Sequence, residues 1–215
     1  MTRAAQPAPG SPRGDRRREA LLAALDERLR TTQLDDISVA DLTESAGITR
    51  SAFYFYFDSK AAAVSVLLAM VHDEARTSTE MMVGGGGDFR ARVTGALARL
   101  IDSVLENGHI YRALLTARTK HEPTREMWDE GRAILAAPIA EFIRAERSAG
   151  RAPDGVDAEL LANGLIGVNE FVLERMVYDI ATPCEPLLAT AADMWVRAVY
   201  GRPDPAVDTA DPGRI

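Results

Sequence analysis

The chain has 215 residues, 47% of them hydrophobic and 6% aromatic, with a formal net charge of −7. A chain of this length buries a sizeable core, as one large domain or as a small one joined to a larger. It has no long uncharged apolar run, no apolar leader of the secretory kind, a single cysteine (Cys184) and three scattered histidines (His72, His109, His121). From these features no membrane span, exported leader, internal disulfide or zinc site is expected, and a cytoplasmic protein without a cofactor is.

In chain order, residues 1–14 are Pro, Ala, Gly and Ser with arginines, and read as a disordered basic leader. Residues 1–18 hold five arginines against one aspartate, whereas residues 19–60 have a net charge of −4. Arg13, Arg16, Arg17 and Arg18 therefore form the positive part of an acidic chain. They fit either an electrostatic arm for a nucleic-acid backbone or a solvated leader with no partner. A first helix is predicted from about residue 15 to 31, with Leu21, Leu22, Leu25 and Leu29 as its inward stripe.

Residues 37–60, ISVADLTESAGITRSAFYFYFDSK, carry the densest signals. Ser38 is a predicted N-cap accepting from the backbone N–H of Asp41, and Ile37 with Leu42 forms a hydrophobic staple. Gly47 suits the left-handed position that closes this helix, and the pattern repeats with Ile48, Thr49 as N-cap and Phe53. Two short helices joined by a glycine turn are the sequence form of a helix-turn-helix. Phe53 and Phe57, four residues apart, face inward; Arg50, Ser51, Tyr54 and Tyr56 occupy the remaining face. Such a face can touch base edges and phosphates, and Lys60, in the first turn of the next helix, stands where a phosphate could meet it. Spacing alone leaves open an ordinary aromatic-rich pair of packed helices.

A further helix begins near Asp58, with Val64, Leu67, Leu68 and Val71 as its buried residues, and ends before Gly84–Gly87. Asp88 caps the next, whose Phe89, Val93, Leu97, Leu100, Ile101, Val104 and Leu105 follow the helical period. Gly108 stops it, and a shorter helix carries Ile110, Leu114 and Leu115. A long helix is predicted from about Thr124 to Ala149, with Pro138 expected to kink or split it. The last two run from about Ala158 to Ile180 and from about Pro186 to Tyr200. The fold class is all-α, with about nine helices and no strand signature. The expected division is a leader (1–14), a helix-turn-helix domain (15–60), a larger helical body (61–200) and a flexible tail (201–215).

GITRSAFYFYFDSK resembles the recognition-helix signature of the TetR transcriptional regulators. That resemblance implies that Thr49, Arg50, Ser51, Tyr54, Tyr56 and Lys60 face DNA and that Ser38 meets its backbone. It also implies a homodimer formed through the two C-terminal helices, a palindromic operator and a body that binds a small effector. The last two helices are apolar on more than one stripe, which fits either burial within one chain or cover by a second subunit. RSAFYFYFDSK, MWDEG, ERSAGRAP, VNE and MWVRAVYG further resemble a mycobacterial branch of the family that holds a long hydrophobic tunnel whose ligands release DNA. Carried across, Asn169, Glu170 and Trp195 fall on pocket positions, with Trp128 nearby. Aromatic positions of that tunnel are here Val93, Leu100, Val104 and Leu135, with Leu97 on the same stripe, so a different and wider cavity is expected. The effector is expected to be small and hydrophobic, and to release the regulator through the helix after the reader.

From the residues alone, Asn169 and Glu170 in an apolar helix could equally bond across the core, and the tryptophans could simply pack. A helical enzyme and a protein-binding adaptor are the alternatives. The first lacks a nucleophile–base pair, a metal cluster or a phosphate loop, and the second leaves the helix-turn-helix unexplained.

Overall fold

A computed structural model describes residues 12–67, 69–179 and 183–201. Among these residues the chain is helical throughout, with α1 (Pro12–Leu29), a 3-10 turn (Leu34–Asp36), α2 (Val39–Ser45), α3 (Arg50–Tyr56), α4 (Lys60–Leu67), α5 (Ala69–Gly84) and α6 (Phe89–Glu106). It continues with α7 (Gly108–Lys120), α8 (Glu122–Ser148), α9 (Ala158–Tyr178) and α10 (Cys184–Tyr200). The all-α expectation holds. The helix expected from Asp58 is described in two parts, α4 and α5, on either side of residue 68, which lies outside the described residues. Leu68 and Val71, expected in its core, fall outside the described side chains, as do most of the expected leader and tail. No helix among the described residues is long and apolar enough to cross a membrane.

Pro138 does not split α8, which runs unbroken from Glu122 to Ser148. Proline removes the hydrogen bond to the carbonyl four residues earlier, that of Ile134. Ile134 is exposed, so water can take the freed carbonyl.

The described residues divide into two compact units, one holding those up to Glu74 together with Ser103–Gly131 and one holding Ala75–Asp102 together with those from Arg132 onward. In the first, α1 packs on α2, α4 and α7, and α4 packs on α7. Leu21, Leu25 and Leu29 of α1 are buried with Leu42, Phe53, Phe57, Val64 and Leu114, while Leu22 is only half-buried. A partly buried polar link joins α7 to α1: His109 Nε2 and Asp26 Oδ1 lie 2.7 Å apart. Burial pushes the Asp26 carboxyl up, but the hydrogen bonds from His109 and Arg30 outweigh it and hold it below its ordinary value.

The second unit is organised around Phe89 of α6. Its ring stacks on Phe142 of α8 at 5.2 Å and meets Tyr200 of α10 edge-on at 5.3 Å. Two glycines with φ of +63° and +68°, Gly47 and Gly150, close α2 and α8 respectively. In each case the following N–H reaches back five residues, from Ile48 to Thr43 and from Arg151 to Glu146, both at 2.9 Å. That is the Schellman arrangement, which satisfies carbonyls a helix end would otherwise leave bare.

Candidate nucleic-acid interface and ligand site

The helix-turn-helix is built as its sequence predicts. Ser38 Oγ accepts from Asp41 N at 3.0 Å and Thr49 Oγ1 accepts from Ala52 N at 3.3 Å, so both short helices begin on a side-chain cap. Ile37 and Leu42 are buried, as are Phe53 and Phe57, whose rings pack 5.8 Å apart. With its phenylalanines anchored, α3 must turn its other face outward. Ser38, Thr49, Arg50, Ser51 and Tyr54 are all exposed. The Arg50 guanidinium lies 6.0 Å from the Tyr54 ring centroid, and the Thr49 and Ser51 hydroxyls are 3.0 Å apart. The result is a compact row of hydrogen-bond donors and one cation.

Two expected DNA-facing residues sit differently. Tyr56 is half-buried, and its hydroxyl is out of solvent with no hydrogen-bond partner. The Lys60 ammonium donates to the carbonyls of Leu34 (2.6 Å), Asp35 (3.2 Å) and Ile37. Its three N–H bonds are thereby engaged within the chain. Phe55, which the sequence reading passed over, is exposed between the tyrosines. The FYFYF run could have flagged it, since only two of five consecutive aromatics can lie four apart on the inner face. Arg18 of the basic N-terminal segment packs over Phe57, its guanidinium carbon 5.6 Å from the ring centroid.

The expected ligand residues divide between the units. Val104 and Trp128 belong to the first; Val93, Leu97, Leu100, Leu135, Asn169, Glu170 and Trp195 belong to the second. Trp128 is half-buried, with the Arg118 guanidinium 4.5 Å over its ring and Tyr111 at 5.9 Å. Val93, Leu97, Leu100 and Val104 are buried along α6, and Leu135 is half-buried on α8.

Asn169 and Trp195 are brought together. The indole Nε1–H donates to Asn169 Oδ1 at 2.9 Å, both residues being buried. Because an indole N–H can only donate, this bond fixes which way the amide faces and directs Nδ2 elsewhere. Glu170 is paired with Arg132 of α8, a partner 38 residues away that no sequence signal pointed to. The Arg132 Nε is buried without a hydrogen-bond partner. Asn169 and Glu170 thus both bond to side chains of other helices, Asn169 within the core and Glu170 at its partly exposed edge.

Residues 29–64 match the family described as bacterial regulatory proteins, tetR family, and residues 93–201 match the C-terminal domain of transcriptional regulator EthR. The chain is 32% identical over 196 residues to the HTH-type transcriptional regulator EthR of Mycolicibacterium smegmatis, covering 88% of this chain and 89% of that protein. Its identity to EthR of Mycobacterium tuberculosis is 33% over 195 residues, covering 88% and 90%. Among solved structures, NalD of Pseudomonas aeruginosa, described as a repressor of a multidrug efflux pump, superposes with a TM-score of 0.68 at 16% identity, covering 88% of this chain and 98% of that one. A TetR-family regulator from Rhodococcus gives 0.65 at 23% identity, covering 83% and 97%. These relatives are regulators rather than enzymes, and their likeness spans both the reader and the body. The chain belongs to the TetR family of DNA-binding transcriptional regulators.

Proposed function

We propose that this regulator is a homodimeric repressor that reads a palindromic operator with α3 and is released by a small, largely apolar effector. The observation that carries the reading is the exposed row on α3, Thr49, Arg50, Ser51 and Tyr54, held outward by the buried Phe53 and Phe57. One such helix spans few base pairs. Two related by a twofold axis and about 34–36 Å apart enter successive major grooves. The second unit supports the dimer: Leu160, Phe171 and Tyr178 are exposed on α9 and Met194 on α10. Leu160, Gly164, Gly167, Phe171 and Tyr178 recur at helical spacing. A Cβ added at either glycine would meet nothing within 4 Å, so a second helix has room to approach.

The effector contacts are proposed within the second unit, at Asn169, Glu170 and Trp195, with Val93, Leu97, Leu100 and Leu135 as apolar lining. With Oδ1 held by the indole, Asn169 offers Nδ2 as a donor, which favours an apolar molecule carrying one acceptor such as a carbonyl. Effector occupancy favours a dimer geometry in which the two readers no longer match the operator. A coupling of about 1–3 kcal/mol would weaken operator binding several-fold to about a hundredfold. The test is selection of duplexes from a randomised library by the purified protein, followed by fluorescence titration of parent, Arg50→Ala and Tyr54→Ala. Arg50→Ala is expected to weaken binding and lower the salt dependence, and Tyr54→Ala to weaken binding. Parent-like affinity for both would remove α3 as the reader. Mass spectrometry of co-purified lipophiles addresses the effector.

A further inference from the structure

The sequence contains 23 arginines but only two lysines, Lys60 and Lys120. Both reach the same place. Lys60, at the first position of α4, donates to the carbonyls of Leu34, Asp35 and Ile37, which form the 3-10 turn and the residue leading out of it. Lys120, at the last position of α7, donates to the carboxylate of Asp35. Three carbonyls converging on one point form a cage for a compact ammonium with three N–H bonds; the flat fork of an arginine does not match it. Ile37 immediately precedes Ser38, the cap on which α2 begins, and α2 leads through Gly47 to α3.

We infer that Lys60 is a positioning residue for DNA recognition: its ammonium fixes the chain from Leu34 to Ile37, and with it the start of the helix-turn-helix, instead of neutralising a phosphate. This rests on α3 being the DNA reader. The two roles differ in a measurable way. A lysine that meets a phosphate releases a counterion and contributes about 0.9 to the slope of log K against log salt, whereas one satisfied inside the protein contributes affinity without slope. They also differ in their tolerance of arginine, since a phosphate accepts a guanidinium readily.

Acylation of the wild-type protein with an N-hydroxysuccinimide ester, followed by mass spectrometry, tests the inference without any substitution. Three hydrogen bonds to a charged group should slow modification of Lys60 by at least about tenfold relative to an unstructured peptide carrying the same residues. The slowing should be the same with and without the selected duplex. Rapid modification that only the duplex suppresses would identify a phosphate ligand and overturn the inference. Lys60→Met and Lys60→Arg are then titrated with the selected duplex over a range of salt, with circular dichroism to establish folding. Both are expected to lose about tenfold or more in affinity at unchanged slope, Lys60→Arg because charge alone does not fill the cage. Wild-type affinity in Lys60→Arg, or a slope lower by about 0.9 per protomer in Lys60→Met, would sink it. Should Lys60→Met fail to fold, Lys60→Arg and the acylation rates decide. Arg50→Ala serves as control: if its slope is unchanged the recognition reading fails, while the acylation result still judges Lys60.

Discussion

The side chains that hold the second unit together also set how it responds to substitution and acid. Asn169→Ala leaves the buried indole N–H of Trp195 without an acceptor, which should cost about 1–3 kcal/mol in chemical denaturation. The same substitution should alter the effector response, because the Nδ2 donor is lost with it. Glu146 is buried, its carboxylate accepting from Arg151 Nη2 at 2.7 Å and from the Tyr200 hydroxyl at 2.9 Å. The Arg151 hydrogen bond outweighs burial and, with that of Tyr200, holds the Glu146 carboxyl below its usual range. Its folded value being the lower, the stability it contributes is present above the unfolded carboxylate pKa and is lost as pH falls through the folded one. Burial first, and then the bond to Glu146, push the Tyr200 phenol up to about 12. Its contribution runs the opposite way: present below the ordinary phenol value, and lost as pH rises from there through about 12. Glu146→Gln should therefore flatten the acid limb of the stability curve, and Tyr200→Phe the alkaline limb, both read by denaturant midpoints across pH. The sequence marked Asn169, Glu170 and Trp195 as polar or amphipathic groups in apolar helices. It did not show that Trp195 would bond Asn169 or that Arg132 would claim Glu170, because those partners lie on other helices and only packing brings them together.

Among the secondary-structure elements, the short helices were the most legible. Ser38 and Thr49 announce their starts, Gly47 announces the turn, and the inward phenylalanines follow from their spacing. Each of these is a local signal, complete within a few residues. The 3-10 turn at Leu34–Asp36 was not legible, since three residues are too short to establish a period and its stabilising lysine comes from α4. The ends of the long helices shifted by a few residues because fraying termini are decided by capping partners that periodicity does not see. Pro138 gave a true local signal whose consequence was milder than a break, the freed carbonyl being on an exposed turn. The turn between α2 and α3 yields a direct prediction. At φ +63° an alanine replacing Gly47 meets no neighbouring atom, so the expected cost of about 1–2 kcal/mol is purely conformational. Thermal unfolding should register that loss, and operator affinity should fall with it because the same turn sets the angle between cap and reader.

For the whole molecule, a net charge of −7 means that attraction to DNA must be local, and on the proposed reading the exposed Arg50 of α3 carries part of it. Pairing two chains doubles that local attraction. Phe171→Glu places a charge on the exposed α9 face and should leave the fold within about 0.5 kcal/mol of the parent. Sedimentation should show it shifted from dimer to monomer, with operator affinity lost in parallel. A monomer that still bound the selected duplex as the parent does would remove the twofold reading. The two tryptophans happen to fall one in each compact unit: Trp128 half-buried beneath a guanidinium, Trp195 sealed in the interior with its N–H bonded to an amide. Indole emission shifts with polarity, so the protein carries its own pair of optical probes. Replacing either ring with phenylalanine leaves a single emitter, and comparing the two denaturation curves would reveal whether the two compact units melt as one cooperative block or in sequence.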